Sequence, residues 1–185
     1  MPALMLGPLN LAQWVVLAVA VQRLVELRYS KANCRRLAAA GALEAGQKHH
    51  PLFVLLHGSW LAAIFVQVSL EGSLSPTFLA IYLLLQVFRV WIFATLGRRW
   101  TTRVLVLPGE RPRTGGPFRL CRHPNYLLVA LEIAVLPMVF GLWETAVIYS
   151  FLSALLTRQR IQVEDALWRA VAAPPEPPSP HKTPR

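Results

Sequence analysis

Charged side chains are scarce in this chain. Only 15% of its 185 residues are Asp, Glu, Lys or Arg, where a soluble domain carries about 25%. With 55% hydrophobic residues, that shortage argues against an ordinary water-soluble domain and makes an integral membrane protein the first expectation. Acidic residues are rarest, nine against nineteen lysines and arginines, for a formal net charge of +10. Such an excess can mark a nucleic-acid binder. Here the basic residues are segregated between loops, which membrane topology explains, and no nucleic-acid partner is expected. Cysteine occurs only at positions 34 and 121, both in basic loops assigned to the cytoplasm, so free thiols are expected. Residues 1–10 contain no lysine or arginine. Although Ala18-Val19-Ala20 mimics a cleavage site, a signal peptide wants a positive start, and the first apolar stretch is expected to be retained. There is no P-loop, no G-x-G-x-x-G after a strand and no G-x-S-x-G, so the soluble nucleotide-binding machinery is absent.

What is present is a succession of apolar runs. Hydropathy predicts an all-α membrane protein with about five spans, near 9–27, 51–70, 76–96, 125–140 and 143–157, the last two forming a tight helical hairpin. Each arm of that hairpin gives roughly 24 Å of helix against roughly 30 Å of hydrocarbon. The basic stretch after the first span is expected to be helical as far as Ala40 and to stop at Gly41. Residues 104–107 are expected to be a strand or extended. Residues 158–171 read as a separate amphipathic surface helix, and the proline-rich residues 172–185 as a disordered tail. A single membrane domain would then cover residues 1–171. Seventeen of the nineteen lysines and arginines fall in the first loop, the third loop and the C-terminal segment. Five spans with the N-terminus outside and the C-terminus inside satisfy the positive-inside rule at every loop. That puts its chemistry on the cytoplasmic side of the membrane.

The densest cluster of chemistry is Thr114 to Tyr126, T-G-G-P-F-R-L-C-R-H-P-N-Y. Pro124 stands where an apolar helix would begin, a position proline tolerates because its missing N–H has no intrahelical partner there. Arg119, Arg122 and His123 therefore precede the electropositive end of a helix, a place to hold an anion against a membrane surface. Within the spans, His57, Arg89 and Glu132 all fall roughly 10 Å below the same surface. They form either one polar pocket beneath Arg122-His123 or a structural Arg89–Glu132 ion pair with His57 nearby. Farther on, Arg160, Glu164 and Trp168 share a helix face at i, i+4 and i+8. They serve either as a solvated charge pair or as ligands for the carboxylate and ammonium of an amino-acid group. The histidines match no standard metal-ligand spacing, and no metal is expected.

These motifs resemble a known family. G-G-P-F-R-L-C-R-H-P-N-Y, followed by a hairpin and then R-I-Q-V-E, is similar to the isoprenylcysteine carboxyl methyltransferase (ICMT) family of integral membrane enzymes, most specifically over about residues 98–167. The segments R-L-V-E-L-R-Y-S and R-R-W-T-T-R-V-L-V-L-P-G resemble a bacterial branch whose members O-methylate long-chain alkylpyrones or alkylresorcinols. The resemblance implies S-adenosylmethionine as cofactor, bound within residues 98–171. It implies that Phe118, His123, Pro124, Asn125 and Tyr126 line the cofactor site, that Glu164 holds the cofactor, and that Arg160 faces the junction with the substrate. Arg103 is a weaker transfer. The chain departs from the family in having Phe118 where tyrosine is common and Asn125 where the eukaryotic enzymes have serine.

The expected function is therefore methyl transfer from S-adenosylmethionine to an oxygen of a lipophilic small molecule arriving from the membrane lipid. The acceptor is a carboxylate, an enol or a phenol. A carboxylate needs no base; an enol or phenol must lose a proton, which His57 or Glu132 could take. The alternatives are amine methylation of phospholipid headgroups, a reductase using NADPH, and a non-enzymatic scaffold or channel subunit.

Overall fold

A computed structural model describes residues 5–6, 9–68 and 74–172, with side chains over 9–68 and 74–171. Five long helices dominate it. Helix α1 (Leu11–Ala39) opens on a reciprocal cap: the Asn10 side chain accepts from the Gln13 backbone N–H, and the Gln13 side chain accepts from that of Asn10. The Asn10 amide also donates to the Val68 carbonyl at 2.8 Å, tying the start of α1 to the end of the next helix. Helix α1 runs unbroken through Arg28, where hydropathy falls, because no glycine or proline interrupts residues 11–39. It stops where Gly41 takes φ +85°, a conformation that favours glycine.

Helices α2 (His50–Val68) and α3 (Pro76–Leu96) follow, then α4 (Pro124–Val139) and α5 (Trp143–Ala172). The α4–α5 turn falls where Gly141 takes φ +75°. The separate surface helix expected at 158–171 is not separate: α5 is one helix of 30 residues, about 45 Å long. Its first half is apolar and its second half carries Arg160 and Glu164 outward on the same rod. Ala172 is the last described residue of α5, and the rest of the expected tail, 173–185, lies outside the described residues.

The helices neighbour one another in the order α3, α4, α5, α2, α1. Trp60, Ile64, Tyr82, Ile133, Leu136 and Phe140 lead the main buried cluster. Two short antiparallel pairings complete the fold. Met5–Leu6 (β1) pairs with Leu9–Asn10 (β2), and Leu43–Ala45 (β3) with Val104–Val106 (β4), Leu43 opposite Val106. The expected extended segment at 104–107 is thus a strand, and its partner lies sixty residues back in the first basic loop.

Many large apolar side chains point outward, among them Leu84 at 67%, Val87 at 66% and Phe151 at 65% exposure. Such a belt is far beyond what a soluble monomer shows and fits hydrocarbon contact. Among the described residues, two helices qualify as membrane spans by length and hydropathy, Gln47–Val68 and Pro76–Arg99. The other three fall short for visible reasons. Helix α4 has 16 residues, α1 carries Arg23 and Glu26 where its apolar run should continue, and only the first half of α5 is apolar.

Candidate active site

A cavity of about 1260 Å³ lies within the helix array at the end where the arginines gather. Pockets for a single small ligand are about 300–1,000 Å³, so this one has room for two ligands side by side. Of the side chains singled out in the sequence, His57, Arg103, Phe118, His123, Pro124, Asn125, Tyr126, Arg160 and Glu164 all line it. Glu132 does not.

The wall nearest the helix ends is built by α4 and α5. Pro124 occupies the first turn of α4, and the His123 carbonyl accepts from the backbone N–H groups of Tyr126 and Leu127. Tyr126 is thereby held one turn into α4, facing α5. Its hydroxyl donates to Glu164 Oε2 at 2.5 Å and accepts from Arg160 Nε at 3.0 Å. Arg160 also donates to the Thr102 carbonyl, and its guanidinium lies 5.0 Å from the centre of the Phe53 ring. His123 Nδ1 stands 3.8 Å from Glu164 Oε1. His123 Nε2 is 3.3 Å from Asp165 Oδ1 but out of line for a hydrogen bond. Asn125 accepts from Trp100 Nε1 at 3.3 Å, fastening the start of α4 to the loop after α3.

That loop is pinned at several points. The Thr102 backbone N–H donates to Ser30 Oγ at 2.8 Å, and Asn33 donates to the Trp100 carbonyl at 2.8 Å. Thr102 Oγ1 lies 3.2 Å from His50 Nε2, and Arg103 donates to Glu44 at 3.2 Å across the β3–β4 pair. In the G-G-P turn, Gly116 takes φ +58°, and a Cβ there would come within 2.6 Å of Thr95 Oγ1. Glycine is required by both conformation and space.

The other wall is reached by His57, Arg23, Glu26 and Arg89. Equal depth allowed either one polar pocket holding His57, Arg89 and Glu132 or a structural Arg89–Glu132 ion pair with His57 nearby, and the geometry is that of the ion pair. Glu132 is fully buried, and four hydrogen bonds occupy its carboxylate, from Arg23, Gln86 and twice from Arg89. Glu26 receives both arginines in turn, at 3.0 Å from Arg23 and 2.9 Å from Arg89, and Gln22 joins Glu26 to Gln86. This neutral network of two arginines, two glutamates and two glutamines ties α1 to α3 and α4. A carboxylate so engaged has no lone pair facing the cavity, so the proton-taking role considered for Glu132 lacks a geometry. His57 stands apart from it. Its Nδ1 is 2.8 Å from the Phe53 carbonyl, one turn earlier in α2. A carbonyl only accepts, so Nδ1 carries the proton and Nε2 is the acceptor of the neutral ring.

Charge over the lining is uneven. Eight arginines (23, 89, 99, 103, 111, 113, 122 and 160) face four carboxylates (Glu26, Glu110, Glu164 and Asp165), a net charge of +4. Among the described residues, no group of three or more His, Cys, Asp or Glu could hold a metal. In the sequence Arg23 stands out as an ionisable side chain inside an apolar run, with Glu26 at its edge, whereas nothing there marks Gln22 and Gln86 as partners of the network.

Comparison with known proteins bears on this geometry. Residues 78–169 match the model of the isoprenylcysteine carboxyl methyltransferase family, a segment from early α3 to near the end of α5 that holds every site residue named above from Arg89 to Glu164. The uncharacterized protein YpbQ of Bacillus subtilis (strain 168) is 31% identical over 157 residues, covering 82% of this chain and 94% of its own. An uncharacterized protein of Haemophilus influenzae is 24% identical over 164 residues, 85% of this chain and 93% of its own. No solved structure matches.

Proposed function

The chain belongs to the isoprenylcysteine carboxyl methyltransferase family, a family of membrane methyltransferases, and from that premise we propose that it moves a methyl group from S-adenosylmethionine to an oxygen of a lipophilic acceptor. One observation carries the proposal. His123, Tyr126, Arg160 and Glu164, from two helices, converge on the wall of a cavity large enough for donor and acceptor together.

The groups present fit the donor. Glu164 suits its ammonium, and His123 or a neighbouring guanidinium suits its carboxylate. Phe118, Tyr126 and Trp168 offer aromatic faces to a sulfonium, and all three line the cavity. When bound, S-adenosylmethionine supplies an electrophilic methyl group. The chain's own residues do the rest. Tyr126 fixes Glu164 and Arg160 relative to each other, so both are oriented before any ligand arrives. Arg160 and the surplus of arginines attract an acceptor that arrives as an anion, since the donor is itself net cationic. A carboxylate acceptor is already ionised. An enol or phenol gives its proton to Nε2 of His57, whose Nδ1 is tied to its own helix. Glu132 holds the helices and takes no proton.

In this reading the chain crosses the membrane five times. Helices α1, α4 and α5 add crossings to the two that qualify by hydropathy, and the basic end lies in the cytoplasm, as the positive-inside rule favours. The test is to supply a methyl-labelled donor to membranes containing the protein and to analyse the lipid extract by mass spectrometry. Label in a methyl ester or ether is expected. Label in a methylated amine would replace oxygen by nitrogen as the acceptor, and no lipid-borne label would remove the proposal.

A further inference from the structure

We infer that Thr102 is a positioning residue for Arg160: bound between Ser30 of α1 and His50 of α2, it presents its carbonyl to the guanidinium and so sets where Arg160 stands in the cavity wall. Thr102 lies just ahead of β4, and its polar groups reach three helices. Its backbone N–H donates to Ser30 Oγ at 2.8 Å. Its Oγ1 lies 2.8 Å from the same Ser30 Oγ and 3.2 Å from His50 Nε2. Its carbonyl accepts from Arg160 of α5. One hydroxyl of the Ser30–Thr102 pair donates to the other, and His50 Nε2 can accept from Thr102 or donate to it, so the clasp closes with either tautomer.

Ser30 is the least expected member. It is 1% exposed. A serine inside a helix points to solvent or bonds the carbonyl one turn earlier, and this one turns to Thr102 instead. One turn on, the equally buried Asn33 donates to the Trp100 carbonyl at 2.8 Å. Helix α1 thus grips the backbone of the loop at residues 100 and 102. On the other side of the loop, Arg160 is fixed at three points. Nε donates to the Tyr126 hydroxyl, Nη2 donates to the Thr102 carbonyl, and the guanidinium lies 5.0 Å from the centre of the Phe53 ring. Among the described residues nothing accepts from Nη1, which leaves that end of the guanidinium for a ligand.

The clasp needs no assumption about the reaction. Its bearing on catalysis rests on the methyl-transfer reading, and the two can be tested apart. Full-length protein in detergent is treated with phenylglyoxal, which modifies free guanidiniums, and peptide mass spectrometry follows the rates at Arg160 and at the exposed Arg158. S-adenosylhomocysteine binding is measured in parallel by calorimetry. In the wild type Arg160 is expected to react roughly tenfold more slowly than Arg158, because its donors are engaged. Thr102→Val removes the bonds of Oγ1 to Ser30 and His50, and Ser30→Ala removes the partner of the Thr102 N–H and Oγ1. Each should speed Arg160 by roughly tenfold, the weight of two hydrogen bonds, with Arg158 unchanged. Thr102→Ser keeps the hydroxyl and should keep the protection. Ser30→Ala, which leaves the loop's own residues intact, decides the matter if Thr102→Val fails to fold. Arg160 as reactive as Arg158 in the wild type, protection undiminished in both variants, or equal acceleration at Arg158 would overturn the clasp. The expected protection pattern without S-adenosylhomocysteine binding would leave it standing and remove the methyl-transfer reading.

Discussion

Replacing Glu132 by alanine tests whether the buried network is structural. The wild-type carboxylate accepts four hydrogen bonds, and its charge with that of Glu26 balances Arg23 and Arg89. In Glu132→Ala the two guanidiniums are left with Glu26 alone, one charge uncompensated in a largely buried network. Breaking such a pair by removing one partner costs about 3–5 kcal/mol. For a chain of this size each kcal/mol moves the melting temperature by about 2–4 °C, so a fall of roughly 6–20 °C is expected. The double replacement Arg89→Met with Glu132→Leu leaves Arg23 paired with Glu26 at 3.0 Å. It should recover most of the loss, because removing both members of a buried pair is often close to neutral. The assay is thermal unfolding in detergent. A Glu132→Ala protein melting within about 2 °C of wild type, less than 1 kcal/mol, would refute the reasoning. So would a double variant as unstable as the single one.

Other substitutions probe the cavity wall. Tyr126→Phe removes the donor to Glu164 and the acceptor for Arg160. Losing a hydrogen bond to a charged group, about 1.5–3 kcal/mol, should weaken S-adenosylhomocysteine binding by roughly ten- to a hundredfold, as calorimetry would show. His57→Ala should lower methyl transfer to a phenol or enol by about 10²–10⁴-fold while S-adenosylhomocysteine binding stays within a factor of about two; equal loss of both would contradict a proton-transfer role. Gly116→Ala must adopt φ +58° and press against Thr95, costing about 1–3 kcal/mol, read as a lowered melting temperature.

Local chemistry was legible in the sequence where covalent geometry enforces it. R-H-P-N-Y announces a helix start, because proline at the first turn leaves few other choices, and Arg160 and Glu164 share a face by helical spacing alone. What escaped was non-local, or hidden by a change of solvent. Hydropathy drops at Arg158, but the drop marks where a rod meets polar surroundings and not where the helix ends, and α5 runs straight through. In α1 the helical reading as far as Ala40, with its stop at Gly41, agrees with the structure. The pairing of β3 with β4 joins three-residue segments far apart in the chain, too short for any periodic signal. Counting residues from a common surface brought Arg89 and Glu132 to one level. It could not reveal that Arg23 and Glu26 would reach the same point from α1, leaving His57 to the cavity.

The central claim is that one cavity holds the methyl donor beside a lipid-borne acceptor. Titrating purified protein with S-adenosylhomocysteine, and separately with NADPH, tests it most directly. The account predicts one saturable site for S-adenosylhomocysteine, abolished in Glu164→Ala and in His123→Ala, and none for NADPH. Tight binding by both variants would take these residues out of the site; saturable NADPH binding with no response to S-adenosylhomocysteine would contradict the account outright.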